Sequence, residues 1–172
     1  MDAERRQNNM QIAVISDIHD NIWKLEDVLA RVNGTDAGAL IFCGDFCAPF
    51  TLKQIADSFS GPVHCVFGNN DGDKWFLSRI ASGADHVTLH GELAELTLDE
   101  RRIAVNHYPH IAKGLAASGY YDAVFFGHSH ERHLTQVGDA LLLNPGEVMG
   151  RLGPSTFALY DTKTGGATIL EL

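Results

Sequence analysis

Along this chain, hydrophobic runs end repeatedly on the same kind of punctuation. Ala39-Leu40-Ile41-Phe42-Cys43 has no polar break, the mark of a strand covered on both faces, and it stops at Gly44-Asp45. Residues 12–16 likewise run into Asp17-Ile18-His19, and 63–67 into Gly68-Asn69-Asn70-Asp71. Residues 103–105 lead to Asn106-His107, and 124–126 to Gly127-His128-Ser129-His130. Between the first three runs the apolar spacing becomes helical. Ile22, Leu25, Val28 and Leu29 form a stripe over 21–32 that Asn33-Gly34 stops. Leu52, Ile55, Ala56 and Phe59 form another over 52–59, after an interruption at Pro49 and before Gly61-Pro62. A third helix covers 75–81. Three successive strand–helix units predict a largely parallel sheet with right-handed crossovers.

From about residue 85 the rhythm shortens. Segments 86–89, 94–98 and 102–106, separated by Gly91 and Asp99-Glu100, fit a meander, and a short helix over 111–118 precedes a strand at 123–126. Residues 134–137 and 141–144 around Gly138-Asp139 read as one hairpin, and 157–161 and 167–170 around Gly165-Gly166 as another. The pattern predicts an α/β fold, a four-layer α-β-β-α sandwich of two mixed sheets flanked by helices. It forms a single domain over 10–172 behind a disordered tail, 1–9.

Composition narrows the function. The 172 residues, 45% of them hydrophobic and 20% charged, suffice for a full core. A net charge of -9 and a pI near 5.3 argue against broad binding to nucleic acid or anionic membranes. Nucleic acid is then expected only as a short or end-bound substrate. Cys43, Cys47 and Cys65 are odd in number, which suits a reducing cytoplasm, and no apolar run has the length of a membrane span.

Taken singly, an Asp-x-His pair or a Gly-Asp turn carries little weight. Their joint placement carries more, because carboxylates and imidazoles all fall just after strands, where α/β sheets bind ligands. If these groups converge, burying them together is costly unless a positive charge sits among them, and divalent metal meets that need.

Asp-x-His, Gly-Asp, Gly-Asn-x-Asp, a single His and Gly-His-x-His, in this order, resemble the calcineurin-like metallophosphoesterases. The length, the run Ser16-Asp17-Ile18-His19-Asp20-Asn21 and the stretch Asn144-Pro145-Gly146-Glu147-Val148 are similar to the small YfcE-like phosphodiesterase branch, where Asn-Pro-Gly-Ser-Val is common. The resemblance implies a metal-dependent phosphoesterase with one cation on Asp17, His19 and His130, a second on Asn69, His107 and His128, and Asp45 bridging. A carboxylate has two oxygens and can span cations about 3.5 Å apart, whereas an imidazole serves one. With two cations at about +4, two carboxylates at about -2 and a bridging hydroxide at about -1, the centre keeps about +1, a match for a phosphodiester monoanion. That hydroxide is the expected nucleophile. Mn²⁺ is the expected metal, with Fe, Zn²⁺, Ni²⁺ or Co²⁺ as alternatives; several histidines speak against Mg²⁺ or Ca²⁺. The expected partner is a small phosphate-ester substrate, and the resemblance allows a homo-oligomer.

Three further residues complete the candidate catalytic set. Asn70 stands where many relatives carry a proton-donating His, and it donates no useful proton. Asp71 orients a ligand or caps a turn. His110, in His107-Tyr108-Pro109-His110 where relatives often read His-Gly-His, either supplies the missing proton or is a surface His beside a helix start, the reading preferred. Trp75 and Phe76 wall the cleft or pack the third helix, with packing favoured. Cys43 and Cys47 read as packing residues, and His64, His86, His90 and His133 as scaffold. The alternative function is a metal-binding interaction scaffold of the same fold, as in a retromer subunit. A serine hydrolase using Ser16 or Ser129 fits poorly, since neither lies in a Gly-x-Ser-x-Gly elbow.

Overall fold

A computed structural model describes residues 9–172; the expected tail, apart from Asn9, lies outside the described residues. The first sheet is built from strands β1 (Gln11–Ile15), β2 (Ala37–Phe42), β3 (Val63–Cys65) and β4 (Val87–Leu89), all parallel, linked by helices α1 (Ile22–Asn33), α2 (Pro49–Ser58) and α3 (Lys74–Ser82). The second sheet holds β5 (Leu93–Leu98), β6 (Arg101–Asn106), β7 (Ala123–Phe125), β8 (Arg132–Val137) and β9 (Ala140–Pro145), with α4 (Pro109–Ala117) between β6 and β7. The chain then returns to the first sheet as β10 (Thr156–Asp161) and β11 (Ala167–Glu171), giving the orders β11-β10-β1-β2-β3-β4 and β5-β6-β7-β9-β8. This is the four-layer sandwich of two mixed sheets expected from the pattern.

Strand alternation explains why the first runs are hydrophobic without a break. In β1, Ile12 and Val14 face the second sheet and meet Val105, Phe125 and Leu143 in one core, while Ala13 and Ile15 join Leu25, Leu52 and Leu77 of the helices in another. A third, smaller core lies between the second sheet and Ala112 and Ala116 of α4. Both faces of the central strands of each sheet are therefore covered, at about 1.5–3 kcal/mol per large apolar side chain buried, while β5 and β8 at the edges of the second sheet stay partly exposed.

Two local expectations are corrected. Residues 86–106 do not form a meander: β4 ends the parallel sheet, and β5 and β6 open the other as an antiparallel pair turning at Asp99 and Glu100. Pro49 does not interrupt α2; it begins it, because a proline ring pre-sets the first helical φ and the missing N–H has no partner there to lose. Asn21 caps α1 by accepting from Lys24 N–H, and Gly34 closes it, as the punctuation suggested.

Candidate metal centre

Five strand ends from both sheets meet at one edge of the sandwich. The loop after β1 is laced to the loop after β2: Asp17 N–H donates to the Gly44 carbonyl at 3.1 Å, and Ile18 and His19 N–H donate to the Asp45 carbonyl at 3.1 and 3.2 Å. The two sheets are joined at the same place, where Val148 and Met149 N–H donate to the carbonyls of Ser16 and Asp17 at 2.9 and 3.0 Å. Around this lacing Asp17, His19, Asp45, His128 and His130 take φ of 54°, 46°, 67°, 72° and 61°, in the left-handed region. Asp and His enter that region more readily than most residues, yet each such conformation still costs on the order of 1 kcal/mol, and strain of this kind gathers at functional sites. Gly44 has φ +103°, and at Gly68 a Cβ would lie 2.7 Å from the Asp45 amide nitrogen, so only glycine lets these loops approach.

The donor atoms face one another at a spacing that hydrogen bonds do not explain. His19 Nε2 lies 3.6 Å from Asp17 Oδ1 and 3.4 Å from Asp45 Oδ2. His130 Nε2 lies 3.5 Å from Asp17 Oδ1, and His107 Nε2 lies 3.3 Å from Asp45 Oδ2. A charge-assisted hydrogen bond is shorter, about 2.7–2.9 Å. Ligand atoms each about 2.1 Å from a cation and roughly 110° apart, however, sit about 3.4 Å from each other. Asp17 Oδ1 and His19 Nε2 are moreover buried without a hydrogen-bond partner among the described residues. Asp17, His19 and His130 form one group able to hold an ion, and Asp17, Asp45 and His107 another. Asn69 extends the second side: its Oδ1 lies 3.1 Å from His107 Nε2 and 2.8 Å from His128 Nδ1. The residues fit divalent cations.

Surrounding groups fix these side chains. Asn70 grips Asp45 twice, its backbone N–H donating to Oδ1 and its Nδ2 to Oδ2, both at 2.8 Å. Burial alone would raise the Asp45 carboxyl, but His107 and Asn70 overrule it and hold the group well below the usual carboxylate range. Burial opposes protonation of His107, and the nearby Asp45 carboxylate outweighs it, so His107 is raised; His19 is raised chiefly by Asp17. Asp71 does not reach the donor atoms at all. Its carboxylate accepts from the N–H groups of Gly68, Asp45 and Cys47 at 2.6, 3.1 and 3.0 Å, tying the loop after β2 to the loop after β3. Desolvation nevertheless raises its carboxyl.

The family profile described as the calcineurin-like phosphoesterase superfamily domain matches residues 10–165. The chain belongs to that superfamily. It is 29% identical over 157 residues to phosphodiesterase MJ0936 of Methanocaldococcus jannaschii, covering 90% of this chain and 94% of that one. A solved structure of a novel archaeal phosphodiesterase superposes with a TM-score of 0.88 at 28% identity, covering 95% of this chain and all of that chain. YfcE, a phosphoesterase from E. coli, shares the fold with a TM-score of 0.64 at 19% identity, covering 89% of each chain. The chain is thus a metal-dependent phosphoesterase of the calcineurin-like superfamily.

The other residues that the pattern marked in this phosphoesterase take up varied positions. His110 is the second residue of α4 and exposed; its ring leans on Tyr108 at 6.0 Å, and Tyr108 in turn leans on His107 and His128. Trp75 and Phe76 do not pack α3: they are 72% and 48% exposed, and Leu77 and Ala81 make the buried face. Cys43 is a core residue, but the half-buried Cys47 thiol lies 3.5 Å from His19 Nδ1, and burial pushes it up to about 12. Ser16 is fully buried with its hydroxyl on Asp17 Oδ2 at 2.5 Å, which removes it as a nucleophile. Sequence reasoning missed Glu147, a buried carboxylate 2.5 Å from His130 Nδ1. The available signal was its own oddity, an acid where the resembling segment carries Ser.

Proposed function

We propose that this phosphoesterase hydrolyses phosphodiesters at two divalent cations, one held by Asp17, His19 and His130, the other by Asn69, His107 and His128, with Asp45 between them. The observation that carries the reading is the position of Asp45 Oδ2, 3.4 Å from His19 Nε2 and 3.3 Å from His107 Nε2. One carboxylate thus faces an imidazole of each set, as a bridge requires. When bound, the cations supply a hydroxide nucleophile at neutral pH and stabilise the charge on the phosphoryl oxygens. Asn69 and His128 are exposed while Asp17 and Asp45 are buried, so a phosphate would enter from the Asn69–His128 side.

Asn70 is committed to Asp45 and offers no proton, so leaving groups that depart unaided are favoured. The imidazole-rich donor set favours Mn²⁺, with Fe, Zn²⁺, Ni²⁺ and Co²⁺ as the other fitting metals. The three free cysteines support a reducing cytoplasm. No helix of the described residues is long and apolar enough to cross a membrane. A metal-binding scaffold of the same fold would use the same unpartnered Asp17 Oδ1 and His19 Nε2, so turnover is what separates the two readings. The test is hydrolysis of bis(p-nitrophenyl) phosphate beside p-nitrophenyl phosphate, by chelated protein and after Mn²⁺ is restored. The diester should be cleaved faster and only with metal. Full activity after chelation would overturn the mechanism, and equal rates would overturn the diester preference.

A further inference from the structure

Glu147 is the most heavily anchored charge near the centre. It is fully buried, in the turn that follows β9. One carboxylate oxygen, Oε1, accepts from three consecutive backbone N–H groups, those of Arg151, Leu152 and Gly153, at 2.7, 2.6 and 2.8 Å. Such a nest of amides fixes an anion without a countercharge. The other oxygen, Oε2, meets His130 Nδ1 at 2.5 Å, and the far side of that ring, Nε2, faces Asp17 Oδ1 at 3.5 Å. We propose that Glu147 is a positioning residue for one cation only: it holds the proton of His130 on Nδ1 and so keeps Nε2 bare and aimed at the ion shared with Asp17 and His19. His107, on the other side, gets the same service from a neutral group, the Cys43 carbonyl at 2.8 Å from Nδ1. A carboxylate makes the imidazole a stronger donor than a carbonyl does, so the two cation positions are supported unequally. This rests on the two-cation reading above.

Glu147→Gln is the informative variant. The nest presents only donors to Oε1, so the amide oxygen stays there and the NH₂ group turns to His130. It then donates to Nδ1 and drives the ring proton onto Nε2, where it blocks a cation. Mn²⁺ titrated calorimetrically into chelated wild-type protein should give two binding steps. Glu147→Gln should weaken one of them about 10- to 100-fold and leave the other unchanged. In a His130→Ala background the same substitution should change nothing further. Equal binding by wild type and Glu147→Gln, or equal weakening of both steps, overturns the inference and leaves the two-cation reading standing. A wild type that binds fewer than two cations overturns that reading instead. Should the variant not fold, long-range ¹H–¹⁵N spectra of the Zn²⁺-loaded wild type decide: the His130 proton belongs on Nδ1, and a proton on Nε2 refutes the proposal.

Discussion

On one side of Asp45, Asp17, His19 and His130 hold φ of 54°, 46° and 61°, and Asp17 Oδ1 and His19 Nε2 are left without hydrogen-bond partners. On the other side only His128, at 72°, lies in the left-handed region, and Asn69 Oδ1 already meets His107 Nε2 and His128 Nδ1 at 3.1 and 2.8 Å. The first cluster carries unsatisfied polar atoms that a cation would satisfy. The second already has close contacts between the Asn69 oxygen and two imidazole nitrogens, which an arriving cation has to replace. Similar donor types therefore make unequal sites, and the Asp17 side should fill first.

Breaking the shared element should erase the difference altogether. Asp45→Ala removes the carboxylate facing both imidazoles; turnover should fall by about 10³-fold or more, and at least one cation should be lost on metal analysis. Removing one side at a time sharpens the contrast. His130→Ala should delete the tighter calorimetric step, and His128→Ala the weaker one. Asp71→Ala acts beneath both sides by stranding the N–H groups of Gly68, Asp45 and Cys47; urea denaturation should show a loss of about 2–4 kcal/mol. Cation loading should offset such losses, by about 2.7 kcal/mol for a site at a hundred times its Kd, and a chelator should abolish that gain in thermal melts.

The smallest expected effect lies away from the centre, where His64 Nδ1 and His90 Nε2 meet at 3.0 Å. Burial depresses both imidazoles below 6.5, and His90 adds to the effect on His64. The unfolded chain then binds more protons than the native one between the depressed values and 6.5. Stability present above that pH is lost as pH falls through the folded values. His64→Gln should make the decline between about pH 7 and about pH 5 shallower by less than about 1 kcal/mol in matched urea titrations.

Much of this was legible in the chain because it depends on local rules. Strands covered on both faces need unbroken apolar runs, so β1 and β2 announced themselves, and Asn21 and Gly34 marked the ends of α1. Polar residues after such runs marked the candidate centre. What stayed hidden depends on contacts distant in sequence. Nothing local says that β4 and β5 part into different sheets, since that follows from which neighbours they find. Nor could spacing show that Asp71 faces backbone amides rather than the donor atoms, or that Asn70 is spent on Asp45. The left-handed backbone at His19 and His130 is set by loops lacing across two sheets, and Trp75 by helical rotation faces solvent while Leu77 faces the core.

Anomalous diffraction from crystals soaked in Mn²⁺ tests the central claim most directly. Two peaks about 3.5 Å apart should flank Asp45, one beside His19 and His130 and the other beside Asn69, His107 and His128. A map with no peak within bonding distance of Asp45 would contradict it.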